Sequence, residues 1–161
     1  MAIDMFLILK DIPGESKDKV HAKSIDVLAW SWGLSQSGTF HSGGGGGSGK
    51  ANFQDLSITK YVDKSSMTLM GQIASGKHIE TASLIVRKAG GDAPLEYIKY
   101  DLTKVMVTSL STGGSGGEDQ LTENITLNFA QVSAKYMEQS DTGGQVATLP
   151  FTWNIAENVS A

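Results

Sequence analysis

The chain has 161 residues, 40% of them apolar, which is enough for one domain with a single sizeable core and too little for two. It has no cysteine, which excludes a disulfide framework, thiolate chemistry and any cysteine-based zinc site. A net charge of -4, with Arg87 the one arginine among 13 basic residues, argues against a phosphate-backbone partner, so no nucleic acid is expected.

The first apolar run, MFLIL at 5–9, follows Asp4 and stops after five residues. That is too short for a signal-peptide core or a membrane span. The protein is expected to be made in the cytosol, to leave it, if it does, without a cleaved signal, and to insert directly into no membrane. Period two places Ile3, Met5, Leu7 and Leu9 on one side of this segment, with Phe6 and Ile8 on the other, so the strand is expected to be covered on both faces. In KDIPGESKDKVH, the acids Asp11, Glu15 and Asp18 lack the register of a calcium loop and, with Lys17 and Lys19 between them, read as a solvated turn. The stretch 24–36 reads as a second strand, with Leu28, Trp30, Trp32 and Leu34 on one face and Ile25, Val27 and Ala29 on the other.

HSGGGGGSGKANF at 41–53 comes close to a phosphate-binding loop. Such a loop needs a Ser or Thr directly after its lysine and a helix to follow, because the anion rests on the unpartnered amides of a helix N-terminus. Here Ala51 follows Lys50, and Leu56 and Ile58 alternate with Ser57 and Thr59, which predicts a strand. The reading is a long glycine-rich surface loop over about 37–51, costly to order alone and therefore suited to a partner's contact.

One helix is expected, in DKSSMTLMGQIASG, with Met67, Met70, Ile73 and Ala74 on its apolar side, Ser65 or Ser66 as its cap and Gly76 as its stop. Further strands are predicted in HIETASLIVRK, in LEYIKYDLTKVMVTSL with a bend near 101–104, and in VATLPFTWNI. In LTENITLNFAQVSAKYM the alternation of Leu121, Glu123, Ile125, Leu127 and Phe129 shifts by one residue to Ala130, Val132, Ala134 and Tyr136, as at a β-bulge or a change of sheet. The fold class is mainly β, a compact two-sheet β-barrel or sandwich of about seven or eight strands in one domain over 1–161, with one short lateral helix.

Chemistry is sparse. His21, His41 and His78 sit on separate segments without ligand spacing, so no metal, cofactor or catalytic residue is assigned. Glu118, Asp119 and Glu123 belong to a glycine-shaped loop whose acids are expected to face water or to pair across an interface.

Several longer stretches carry a resemblance: MAIDMFLILKDIPGESKD, HAKSIDVLAWSWGLSQSG, FQDLSITKYVDKSS, RKAGG at 87–91 and GGSGGEDQLTENITLNFA at 113–130. Through them the chain closely resembles, almost end to end, the Hcp (haemolysin-coregulated protein) family of bacterial type VI secretion systems. The resemblance implies a β-barrel with a lateral helix that forms homohexameric rings. The rings stack into the hollow inner tube of a contractile injection machine, beside sheath, spike and baseplate proteins, and carry small secreted effectors in the lumen. Two departures stand out: Met67 lies where many relatives carry proline, and the polyglycine run is unusually pure.

On this footing the expected subunit contacts are Met5, Leu7, Phe40, Gly43, Gly44, Gly45, Gly46, Gly47, Lys50, Glu118 and Asp119. Neighbouring subunits would also cover the second apolar face of the strands. Ser31 is the lumen candidate, with Trp30 and Trp32 turned into the core. Its alternative is a small interior residue on a crowded strand. The alternative for the whole protein is a soluble ligand-binding β-sandwich, and no enzymatic activity is expected.

Overall fold

The computed structural model describes residues 3–38, 40–42, 49–88, 94–142 and 144–161. In chain order these form β1 (Ile3–Leu9), β2 (Ile25–Ser31), β3 (Leu34–Ser35), β4 (Asn52–Phe53), β5 (Leu56–Tyr61), α1 (Ser65–Ser75), β6 (Ile79–Lys88), β7 (Leu95–Thr112), β8 (Thr122–Gln139) and β9 (Gln145–Asn154). The large sheet runs β5-β2-β1-β6-β7-β8-β9, and a further pairing of β5 with β8 closes its first six strands into a barrel. β3 and β4 form a separate two-stranded ribbon. As anticipated, a strand and not a helix follows Lys50. The run Gly43, Gly44, Gly45, Gly46 and Gly47 lies outside the described residues.

β8 explains its own shift of phase. Its first part pairs with β5, from Leu56 opposite Leu127 to Tyr61 opposite Thr122, and from Gln131 onward its partner on that side is β9. At the same level the buried positions of three neighbouring strands are spaced by three instead of two. Ile79, Val105 and Phe129 form one cross-strand row and Ala82, Leu102 and Val132 the next. Between the rows Lys104 adopts φ 54, a left-handed conformation uncommon for a residue with a side chain. The bend expected at 101–104 is located there, and it turns the whole sheet, not one strand.

Three sequence expectations require correction. The register of β2 against β5 shifts between Val27 and Ala29, which throws Leu28 outward, so Leu28 does not share a face with Trp30 and Trp32. The strand also ends at Ser31, before the short β3, so it does not run unbroken to residue 36. On α1 the buried residues are Ser65, Ser66 and Leu69, whereas Met67 is 68% exposed. The helix is rotated because two serines, not methionines, must meet the barrel. Its first turn is capped by the Asp63 carboxylate, which accepts the Ser65 N–H at 2.9 Å, while Gly76 ends it at φ 69 as expected.

Third, the second apolar face of β1 is covered in part by the chain itself. Phe6 and its cross-strand partner Ile85 lie opposite the core side yet are 4% and 3% exposed. His21, from the 10–24 connection, packs on the Phe6 ring with centroids 4.9 Å apart, and the Arg87 guanidinium sits 5.0 Å from the same ring. Arg87 is tied to Asp18 at 2.6 Å and to Asp4 at 3.0 Å, and His21 meets Glu96 at 2.6 Å. Asp18 therefore belongs to a clasp on the sheet and not to a solvated turn. Gly14 makes the close approach possible, since a Cβ there would fall 2.4 Å from the Ser24 carbonyl oxygen.

Candidate assembly surface

Alternation along β5 and β8 turns Leu56, Ile58, Ile125 and Leu127 inward, where they are at most 2% exposed, and their neighbours outward. The outward residues are small and polar. Register carries one row across four strands, from Ser31 opposite Ser57, through Thr126, to Ser109. Thr59 and Asn124 form the adjacent row and are joined by a 2.6 Å hydrogen bond. Thr126 also meets the hydroxyls of Thr108 and Ser109, each at 2.6 Å. The carboxylate bordering the face, Asp55, accepts from Thr108 Oγ1 at 2.7 Å and from Asn128 Nδ2 at 2.9 Å. These side chains engage one another, which leaves a smooth wall with little apolar area and a sheathed charge.

Ser31 lies on this wall, exposed, while Trp30 and Trp32 are partly buried against the core. Both indoles meet Tyr100 edge-on at 5.4 Å, which anchors the backbone that presents Ser31. The interior alternative for Ser31 is thereby excluded.

The other expected contacts are scattered. Leu7 is 0% exposed in the barrel core, so its side chain is unavailable to any neighbour, and Met5 packs at the margin of that core. Phe40 stands 88% exposed in a single 3-10 turn. Lys50 lines a cleft of about 650 Å³ at the bend of the sheet. The cleft has Met106, Phe129, Ala130 and Ile155 as apolar lining and Lys104 and His78 as further basic members. Its acid, Glu80, is paired with Lys10. Glu118 and Asp119 are exposed in the 113–121 loop, where the Glu118 N–H closes a turn on the Ser115 carbonyl at 3.3 Å.

Two features escaped the sequence reading. Beyond the β5–β8 closure the far ends of β7, β8 and β9 project, with β6 and then β1 still paired alongside β7, and their core-side face is left open, with Tyr136 45%, Leu149 57% and Phe151 40% exposed around a hollow of about 420 Å³. On the face predicted to hold Phe151, Trp153 and Ile155, Trp153 and Ile155 reach the core and Phe151 does not. The second feature is Glu123, which neither faces water nor pairs across an interface. It is 1% exposed and forms an ion pair with Lys60, its cross-strand partner, which is 0% exposed. Ser66 Oγ donates to Glu123 at 2.6 Å and accepts from Lys60 at 3.3 Å, and Asp63 lies 3.2 Å from the same ammonium. A serine between a lysine and a carboxylate is the composition of an activated nucleophile, but complete enclosure denies it a substrate. Its signal was the in-phase position of Glu123 with Ile125 and Leu127.

Among the described residues no group of three or more His, Asp or Glu side chains comes together as a metal site, and no helix is long and apolar enough to cross a membrane. Comparison with known proteins gives a consistent result. The family model described as "Type VI secretion system effector, Hcp" matches residues 6–136. The protein hcp1 of Pseudomonas aeruginosa is 58% identical over 162 residues, covering 100% of both chains. Among solved structures, one described as a type six secretion system protein aligns with TM-score 0.93 at 31% identity, over 99% of this chain and 100% of that one. Hcp1 from Salmonella typhimurium aligns with TM-score 0.82 at 37% identity, over 100% of both chains.

Proposed function

The chain belongs to the Hcp family of type VI secretion system proteins, and from that premise we propose that it is a structural tube subunit. Six copies form a ring, the rings stack into the inner tube, and the lumen carries small effectors until contraction exports both. The subunit is made in the cytosol, leaves with the tube, meets the sheath, spike and baseplate proteins there, and has no catalytic role.

The observation that carries this reading is the difference between the two exposed surfaces. The Ser31–Ser57–Thr126–Ser109 row is small, hydroxylic and internally hydrogen-bonded, as a wall must be if it is to hold a passenger and then release it. The projecting sheet with Leu149 and Phe151 is apolar and unpaired, as a surface that neighbouring subunits cover must be. In this arrangement the wall lines the hole and the projecting sheet lies between subunits.

Light scattering coupled to size exclusion tests the assembly. A mass of about six times the 17.1 kDa chain is expected, and a monomer independent of concentration would leave the ligand-binding β-sandwich in its place. Ser31→Glu then tests the wall: it should leave that mass unchanged and abolish co-purification of a cognate effector. Retention of the effector at the wild-type level would remove Ser31 from the lumen.

A further inference from the structure

We infer that the basic cleft and the acidic 113–121 loop are the two halves of one contact between copies of this chain, with the loop of one copy seated in the cleft of the next. The inference rests on the proposed assembly and supplies residues for it. The cleft presents an apolar floor of Met106, Ala130 and Ile155 beneath two lysines, Lys50 and Lys104, with His78 beside them. Glu80, the acid of that lining, is held by Lys10, so the local charge is positive in a molecule that is acidic as a whole. Lys50 and Lys104 make no ion pair among the described residues, and neither do Glu118 and Asp119.

The loop has the shape for such a seat. All of 113–121 is exposed, and a Cβ at Gly113, Gly116 or Gly117 would meet nothing within 4 Å, so its backbone is free for close approach. Glu118 and Asp119 sit between those glycines and the half-exposed Leu121, giving an acidic tip with an apolar shoulder. The loop cannot satisfy the cleft of its own molecule. Leu121 and Asn128, which borders the cleft, are seven positions apart along β8, roughly 20 Å of rigid strand. That is well beyond the screening length of about 8 Å at physiological ionic strength. Each half is therefore unsatisfied in one copy and complementary to the other half in a second copy, which is a head-to-tail contact. Lys104, held at φ 54, lies at the rim of the cleft, where a strained residue is more often found than in a plain strand.

The test is a charge swap. One variant carries Glu118→Lys and Asp119→Lys, a second carries Lys50→Glu and Lys104→Glu, and each is measured alone and mixed in equal amounts by light scattering and sedimentation. Each variant alone should lose at least tenfold in assembly affinity, as ring mass or as stacked rings. The mixture should recover assembly, because every reversed loop then meets a reversed cleft. Circular dichroism and melting temperature for each variant exclude misfolding as the cause of loss. If both folded variants assemble like wild type, or if mixing restores nothing, the pairing is wrong while the tube assignment stands. A wild-type chain that never assembles would overturn the tube assignment instead.

Discussion

Lys60 and Glu123 show how much a single register decides. β5 and β8 place them directly opposite each other on the core side, and the first turn of α1 closes over them with Ser66. Both charges are out of water, so removing one partner should cost far more than removing both. Lys60→Met is expected to destabilise the protein by about 3–5 kcal/mol in urea unfolding, whereas adding Glu123→Leu should recover most of the loss. A double variant as unstable as the single one would mean that the ion pair itself, not the orphaned charge, sets the cost. Asp18 acts differently, from the surface. Its hydrogen bond to Arg87, and then that from the His21 N–H, hold its carboxyl well below the usual carboxylate range. A depressed pKa stabilises the fold above the unfolded-state value of about 3.9, and the benefit is lost as pH falls through the lower folded-state value. Asp18→Asn should therefore lower the melting temperature at pH 7 and converge with wild type as pH falls from about 4 toward 2. A difference that stayed constant down to pH 2 would separate the clasp from the Asp18 charge.

At the scale of elements, α1 is held by few groups. Leu69 is its fully buried apolar side chain and belongs to the barrel core, so Leu69→Ala should cost about 2–5 kcal/mol. Met67→Ala, on the exposed side, should be nearly neutral in the same measurement, and equal losses would contradict the observed rotation of the helix. This is also where sequence patterns misled. A 3.6-residue count favours Met67, Met70 and Ile73, and Ile73 does pack against the core, but Met67 turns outward because Ser66, whose small hydroxyl meets Lys60 and Glu123, takes the buried position of the first turn. Strands were legible because period two survives any twist, and the change of phase in β8 was legible as an event at residue 130. Its cause was not, since the exchange of β5 for β9 as partner depends in part on a strand, β5, more than sixty residues earlier in the chain. The bulge at Leu28 was hidden for a similar reason: Ile25 and Val27 before it and Trp30 and Trp32 after it each alternate correctly.

For the whole molecule, what one copy satisfies by itself is distinct from what it leaves open. The face of β1 and β6 that looked unpartnered in sequence is closed internally by Phe6, His21, Arg87 and Asp18. What stays open is the projecting end of β7, β8 and β9, the basic cleft and the acidic loop, none of which finds its complement among the described residues. A sequence carries no record of which apolar alternation will be covered by its own loop and which by a neighbour, because both satisfy the same hydrophobic rule. The polar wall follows from Ser31, Ser57 and Thr126 falling out of phase with the core residues on either side, and in the proposed ring six copies turn it toward a common axis. Single-particle imaging of the purified assembly, at a resolution that traces β5 and β8, tests this most directly. The account predicts closed rings of six with Ser31, Ser57 and Thr126 facing the hole and Leu149 and Phe151 between subunits. Rings with the apolar projecting sheet facing the hole, or particles that remain single chains, would contradict it.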